Sequence, residues 1–175
     1  MKYAPTIYVN NSDNSCRFAL GNYGTNTLIV LGINPSTADD KTKDKTIGKV
    51  MGFVEGNGYD SFIMINLYPQ RTPHPADLHT SINLQISSRN IGVIADIFNK
   101  IDNPTVLAAW SDKIMIRKYL KDCLVKIVDT SKKKNIRWVK LGESTKSGHP
   151  RHPLYARYEL ELTDFSPDKY IAKLK

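Results

Sequence analysis

Cysteine is nearly absent: Cys16 and Cys123 are the only two, far apart and with no CxxC pair. That argues against a disulfide framework, a zinc site or an iron–sulfur cluster. Both read as small core hydrophobes in a reducing, cytoplasmic setting. No apolar run approaches the ~20 residues that cross a membrane. The start, Met1-Lys2-Tyr3-Ala4-Pro5, has no apolar signal core, so secretion is not expected. There is no G-x-G-x-x-G, no Walker loop, no G-x-S-x-G and no H-E-x-x-H. No His/Cys cluster has metal-ligand spacing. No cofactor and no metal is therefore expected. Internal repeats and low-complexity segments are also missing.

What is present is an ordinary globular composition, 41% hydrophobic and 24% charged, in 175 residues. One domain is the expectation. The formal net charge of +8 favours a polyanionic partner, nucleic acid (DNA first) or a nucleotide, and no membrane. The lysines are spread along the chain, and only Lys132-Lys133-Lys134 form a run. That run reads as a solvated loop first and a phosphate contact second.

Hydrophobic periodicity supplies the architecture. Residues 1–27 alternate loosely around the turn-forming Asn10-Asn11-Ser12-Asp13-Asn14 and read as a hairpin or flap. Leu28-Ile29-Val30-Leu31, ending at Gly32, is a buried strand. Thr46 is a candidate N-cap for a helix whose Ile47, Val50, Met51 and Val54 share one face, ended by Gly56-Asn57-Gly58. Phe62–Ile65 is a second strand, ending at Asn66, and a proline-rich loop follows. A second helix spans about Asn83–Ile101. Val106–Trp110 is a third strand, and Ser111 is read as the cap of a third helix. Asn135–Leu141 is a fourth strand, followed by a loop rich in glycine and proline. Tyr158, Leu160 and Leu162 fit an edge strand or a short helix, and residues 163–175 read as a peripheral basic tail. Strand and helix alternate, so the expected class is α/β: a three-layer α/β/α core over residues 28–162 with a mainly parallel, four-stranded sheet.

Three strand ends carry polar chemistry. In a parallel sheet those ends share one edge, where ligands bind. After the first strand, Asn34 is pushed out of helical geometry by Pro35, and its carboxamide offers donors and an acceptor for a water or an amide edge. Ser36 and Thr37 suit phosphate or a turn cap. Asp39 is a candidate base. Asn66 ends an apolar strand, where a buried carboxamide needs partners. Arg71 suits a phosphate or carboxylate. Trp110 reads as core or wall first and as a stacking platform second. The last loop holds Lys146, His149, Arg151, His152, Leu154 and Tyr155. A histidine there can donate to an anion that develops in a transition state.

Asn34-Pro35-Ser36-Thr37-Ala38-Asp39, Asp44-x-Thr46, Asn66-Leu67 with Arg71, Ala109-Trp110, and Thr145-Lys146-x-Gly148-x-Pro150-Arg151-His152-Pro153-Leu154-Tyr155 resemble the domain-of-unknown-function 1643 family over roughly residues 16–160. Gly32-Ile33-Asn34-Pro35 after a strand also resembles the first motif of the mismatch-specific uracil-DNA glycosylases, whose Asn positions the attacking water. Ile65-Asn66 with Arg71-Thr72-Pro73 is similar to the second-strand motif of that superfamily, whose Asn reads the base edge. His-Pro followed by Leu is similar to its final motif, where His stabilises the departing base and a nearby side chain wedges the duplex. The motif is doubled here, as His149-Pro150 and His152-Pro153, and Leu154 favours the second. The sequence departs from the pattern where Gly32–Pro35 continues as Ser-Thr-Ala-Asp. No aromatic stacking residue follows the first motif; Tyr68 or Tyr155 would have to replace it.

The resemblance implies a uracil-DNA-glycosylase-like fold that hydrolyses the N-glycosidic bond of a uracil-like or modified base. Asn34, His152 and Asp39 would be catalytic. Pro35, Ser36, Thr37, Asn66, Arg71, Trp110, His149 and Tyr155 would hold the substrate. Lys146, Arg151 and Leu154 would meet the nucleic acid. The rival readings are an enzyme of free nucleotides or nucleosides, and a non-catalytic reader of nucleic acid or modified bases.

Overall fold

A computed structural model describes residues 1–132 and 134–174. Lys133, the middle of the lysine run, lies outside the described residues. The apolar runs form strands buried on both faces: all six residues of β3 (Thr27–Gly32) and of β4 (Ser61–Asn66) are buried. Such two-sided burial is why parallel strands read as continuous rather than alternating hydrophobic runs. Leu28, Val30, Phe62, Met64, Leu107 and Val139 point into one core with helix α1 (Lys45–Gly56). Their neighbours Ile29, Leu31, Ile63, Ile65, Val106 and Trp138 point into the other. That second core is closed by α2 (Leu84–Lys100), α3 (Tyr119–Ser131) and α4 (Pro167–Lys173). The chain is thus a mixed α/β structure with helices on both faces of one sheet.

The sheet has seven strands where periodicity supplies four at its core. Its order is β1-β2-β4-β3-β5-β6-β7, with β1 (Ile7–Asn10), β2 (Arg17–Gly21), β5 (Thr105–Ala108), β6 (Arg137–Leu141) and β7 (Leu162–Asp164). The pairs β4·β3, β3·β5 and β5·β6 are parallel. Strands β1, β2 and β7 extend the sheet antiparallel at its two sides. Of the two readings of residues 1–27 the hairpin holds: β1 and β2 pair antiparallel, and β2 is fully buried against β4.

Three further expectations are corrected. The helix α1 is capped by Asp44, whose carboxylate accepts the Ile47 N–H at 2.8 Å; Thr46 already lies inside the helix. Ser111 caps no α-helix. It opens a 3-10 segment, Ser111–Ile116, at φ 54°, and α3 starts only at Tyr119. The tail is not peripheral. Ser166 and Pro167 start α4 in the way N-caps and first-turn prolines do. The helix buries Tyr170, and its C-cap Leu174 follows it into the α2–α3 core. Each such side chain contributes about 1.5–3 kcal/mol of burial.

Candidate functional site

The four parallel strands run in the same direction, so the loops that leave them converge. Loops after β3, β4, β5 and β6, together with the start of α1, enclose a cleft of about 750 Å³. The first loop supplies Asn34, Ser36 and Thr37, and the second supplies Thr72, Pro73 and Pro75. Ser111, Asp112 and Lys113 come from the third, and Thr145, Ser147, Arg151, His152, Leu154 and Tyr155 from the fourth. Arg17, Lys43, Lys45, Lys113 and Arg151 give the lining five cationic side chains against the carboxylates of Asp44 and Asp112. The field inside is therefore positive.

Asn34 is anchored by its nitrogen. Nδ2 donates to the carbonyls of Pro35 and Thr72, both at 2.9 Å, and reaches Gln70 O at 3.5 Å. These bonds tie the β3 loop to the β4 loop. They also fix which end of the carboxamide is free: Oδ1 has no protein partner among the described residues, and the side chain lines the cleft. Asn34 thus offers an oriented acceptor.

His152 offers a donor. Its Nδ1 accepts the Leu154 N–H at 3.2 Å. A backbone N–H can only donate, so in the neutral ring the proton sits on Nε2. Burial pushes the His152 pKa below its ordinary value of 6.5, while the Asp44 carboxylate pulls the other way. The neutral, Nε2-protonated ring is the resting form. Tyr155 lies beside it at 5.9 Å between ring centroids and is 83% exposed at the cleft mouth.

Asn66 is fully buried, and neither its Nδ2 nor its Oδ1 finds a partner. By strand alternation it shares a face with Met64, which lines the cleft. It pairs in register with Gly32, another lining residue. A Cβ added at Gly32 would stand 2.7 Å from Met64 Cε and 3.0 Å from Asn66 Oδ1. The carboxamide therefore lies immediately under the floor at Gly32.

Several sequence candidates are placed elsewhere. Asp39 is outside the lining. Its carboxylate accepts the Lys41 and Thr42 N–H groups at 2.9 and 2.7 Å, which hold its pKa below the usual carboxylate value. It closes its own loop and is not placed to act as a base. Pro35 is buried and accepts the Thr72 N–H. Arg71 does not face the cleft either. It donates to the carbonyls of Ser36, Thr37 and Ala38, to Tyr8 Oη at 2.5 Å and to Asn14 Oδ1 at 2.8 Å. It braces the β3 loop against the hairpin.

Trp110 is a core residue with no exposure, and its indole donates to Tyr170 Oη at 3.1 Å. The same hydroxyl meets His149 Nδ1 at 2.7 Å. Burial pushes the Tyr170 hydroxyl up to about 12. Trp110 and His149 are thus joined through the tail helix, so of the two His-Pro pairs only His152 reaches the cleft. Lys146 is exposed between two lining residues without lining the cleft itself.

Periodicity missed Arg17. It was visible as a charge inside an otherwise apolar strand, next to Phe18. It is 2% exposed and lines the cleft floor. Ser111 matters at the site through its backbone rather than as a helix cap. Its positive φ is a conformation that a non-glycine residue adopts only where surrounding structure holds it, and it lies at the site. Among the described residues no group of three His, Cys, Asp or Glu could hold a metal, and no helix is long and apolar enough to cross a membrane.

Residues 17–154 match the family described as "Protein of unknown function (DUF1643)". The chain belongs to this family. No curated protein and no solved structure matches it. The DUF1643 span begins at Arg17 and ends at Leu154, so it contains every lining residue of the cleft except Tyr155. Strand β1 and the closing elements β7 and α4 lie outside that span.

Proposed function

We propose that this DUF1643 chain is a hydrolase that cleaves the N-glycosidic bond of a uracil-like or modified base, on a three-layer core of uracil-DNA-glycosylase type. The observation that carries the reading is the pairing of a fixed acceptor, Asn34 Oδ1, with a fixed neutral donor, His152 Nε2–H, in one positively charged cleft. A water accepted into the cleft donates one hydrogen to Asn34 Oδ1, and its oxygen faces the sugar C1′. The C1′–N bond breaks, and its electron pair leaves with the base. The negative charge that develops on the base oxygen is met by His152 Nε2–H. Water oxygen bonds to C1′, and the remaining proton passes to solvent. A neutral imidazole suits this role, because it donates without first having to be protonated.

Asn66 would read the base edge. The flexible Met64 side chain gives way to admit the base, and the two unpartnered carboxamide atoms then gain their hydrogen bonds. The cationic rim suits the phosphates of a polynucleotide, DNA first, with base extrusion into the cleft. Two buried, unpaired cysteines fit a cytoplasmic setting. The experiment is incubation with oligonucleotides and nucleotides carrying uracil and other modified bases, followed by detection of free base. Release that disappears in Asn34→Ala and in His152→Gln supports the reading. Release from none of the substrates refutes it.

A second reading, hydrolysis of a free nucleotide, is favoured by one observation: the cleft is lined by the guanidinium of Arg17, which is only 2% exposed and suits a small ligand better than a polymer.

A further inference from the structure

We propose that the Arg17 end of the cleft is a subsite for the terminal anionic group of a small ligand, a phosphate monoester or a carboxylate. Arg17 is 2% exposed. Its Nη1 donates to Ala38 O at 2.8 Å. Nε is buried without a partner, and Nη2 has none among the described residues. Nε–H and Nη2–H form the edge of a guanidinium that grips a carboxylate or phosphate through two parallel hydrogen bonds. That edge is unused.

No described carboxylate lies within ion-pair distance of Arg17. Asp44 acts on it only from further away, and the neighbouring Arg71 cation adds to the positive field. Burial lowers the Arg17 pKa to about 10, which still leaves the guanidinium protonated at neutral pH. A buried, unpaired cation is costly to hold. A ligand that brings the counter-charge removes the cost.

A second feature faces the same end. Lys45 and Thr46 open α1 at the cleft, and their backbone N–H groups have no partner among the described residues; Asp44 caps only Ile47. Free amides at the positive end of a helix add to anion affinity. Depth selects the kind of anion. An internal phosphodiester carries a nucleotide on each side and does not fit against a guanidinium that is only 2% exposed. A terminal phosphate or carboxylate does. The ligand is then a nucleotide entering phosphate first, or a base with an acidic substituent.

The subsite takes from the proposed function only the cleft as the ligand's place, so binding alone tests it. Thermal unfolding of the full chain is followed with inorganic phosphate, malonate, a nucleoside 5′-monophosphate, the matching nucleoside, and an oligonucleotide with hydroxyl groups at both ends. Phosphate is expected to raise the midpoint in a saturable way. The apparent affinity is expected to fall at least tenfold in Arg17→Gln. Arg17→Lys, which keeps the charge and loses the two-pronged grip, is expected to fall between. Stronger protection by the monophosphate than by the nucleoside identifies a nucleotide, and stronger protection by malonate identifies an acidic substituent. Equal protection of Arg17→Gln, protection of wild type by no anion, or equal protection by the blunt oligonucleotide overturns the subsite. Anion protection without base release would sink the glycosidic chemistry and leave the subsite standing. Base release unchanged in Arg17→Gln, with phosphate protection also unchanged, would do the reverse.

Discussion

Asn66→Leu separates a residue kept for a ligand from one kept for the fold. Two polar atoms of Asn66 are buried without partners. Each orphaned group of this kind costs about 1–3 kcal/mol. Leucine has a similar volume and carries no such atoms. One of its methyls takes the place of Oδ1 next to Gly32, so repacking offsets only part of the gain. The backbone contribution is untouched: Asn90 Nδ2 still donates to Asn66 O at 2.9 Å. The net expectation is a gain of about 1–2 kcal/mol, or roughly 0.5–1 M in the urea midpoint at an m-value of ~2 kcal/mol/M. Ligand-induced stabilisation and base release should disappear in the same variant. Equilibrium urea unfolding with and without ligand reads both. A midpoint that falls by half a molar or more would refute the reasoning, because it would mean that the carboxamide is satisfied within the folded chain.

Gly32→Ala places a Cβ 3.0 Å from Asn66 Oδ1. It is expected to cost about 1 kcal/mol in the fold and to weaken ligand protection more than tenfold in the same thermal assay. Arg71→Ala removes the bonds that hold Ser36, Thr37 and Ala38 to the hairpin. It should destabilise by about 2–3 kcal/mol, seen as a lower urea midpoint. His152 makes the chain acid-sensitive. Its folded pKa is depressed, so its neutral form contributes fully above 6.5 and that contribution is lost as pH falls from 6.5 towards the lower folded value. Wild type should lose stability relative to His152→Asn over that window, while base release should hold across it, because the folded ring stays neutral until the pH reaches its own lower pKa. His149→Gln is expected to lower the melting temperature through its lost Tyr170 contact while leaving the pH profile of turnover unmoved.

Most of the fold was legible because burial on two faces writes itself as apolar runs. Leu28–Leu31 and Phe62–Ile65 could be nothing but central strands. The edges were harder. β7 is three residues long with a half-buried pattern, so neither period is expressed. The tail looked peripheral because Phe165, Tyr170, Ile171 and Leu174 stand among charges in a stretch too short to show a stripe. At the site, what a residue type could do was readable, but which way its side chain pointed was not. Asp39 and Arg71 have the right chemistry, and their hydrogen bonds spend it within the loops. Trp110 takes the core reading of the two that its strand-end position allowed.

Orphaned polar atoms carry information that composition cannot. Among the described residues there are four such buried atoms, and three belong to Arg17 and Asn66. These residues sit on β2 and β4, which are hydrogen-bonded neighbours. The penalty, on the order of 1–3 kcal/mol for each group, is a sizeable share of the 5–15 kcal/mol that holds an ordinary domain together. A chain indifferent to ligands would lose only the Arg17–Ala38 hydrogen bond by replacing both with apolar residues, and would gain stability on balance. The fourth orphan, Asn90 Oδ1, differs in kind. Its own Nδ2 is used, donating to Asn66 O and Leu67 O, so Asn90 serves the fold by fixing the end of β4. Two strands thus end in unmet hydrogen-bonding capacity at one cleft floor, one cationic and one neutral. A ligand with an anionic terminus beside an amide-like edge meets both at once.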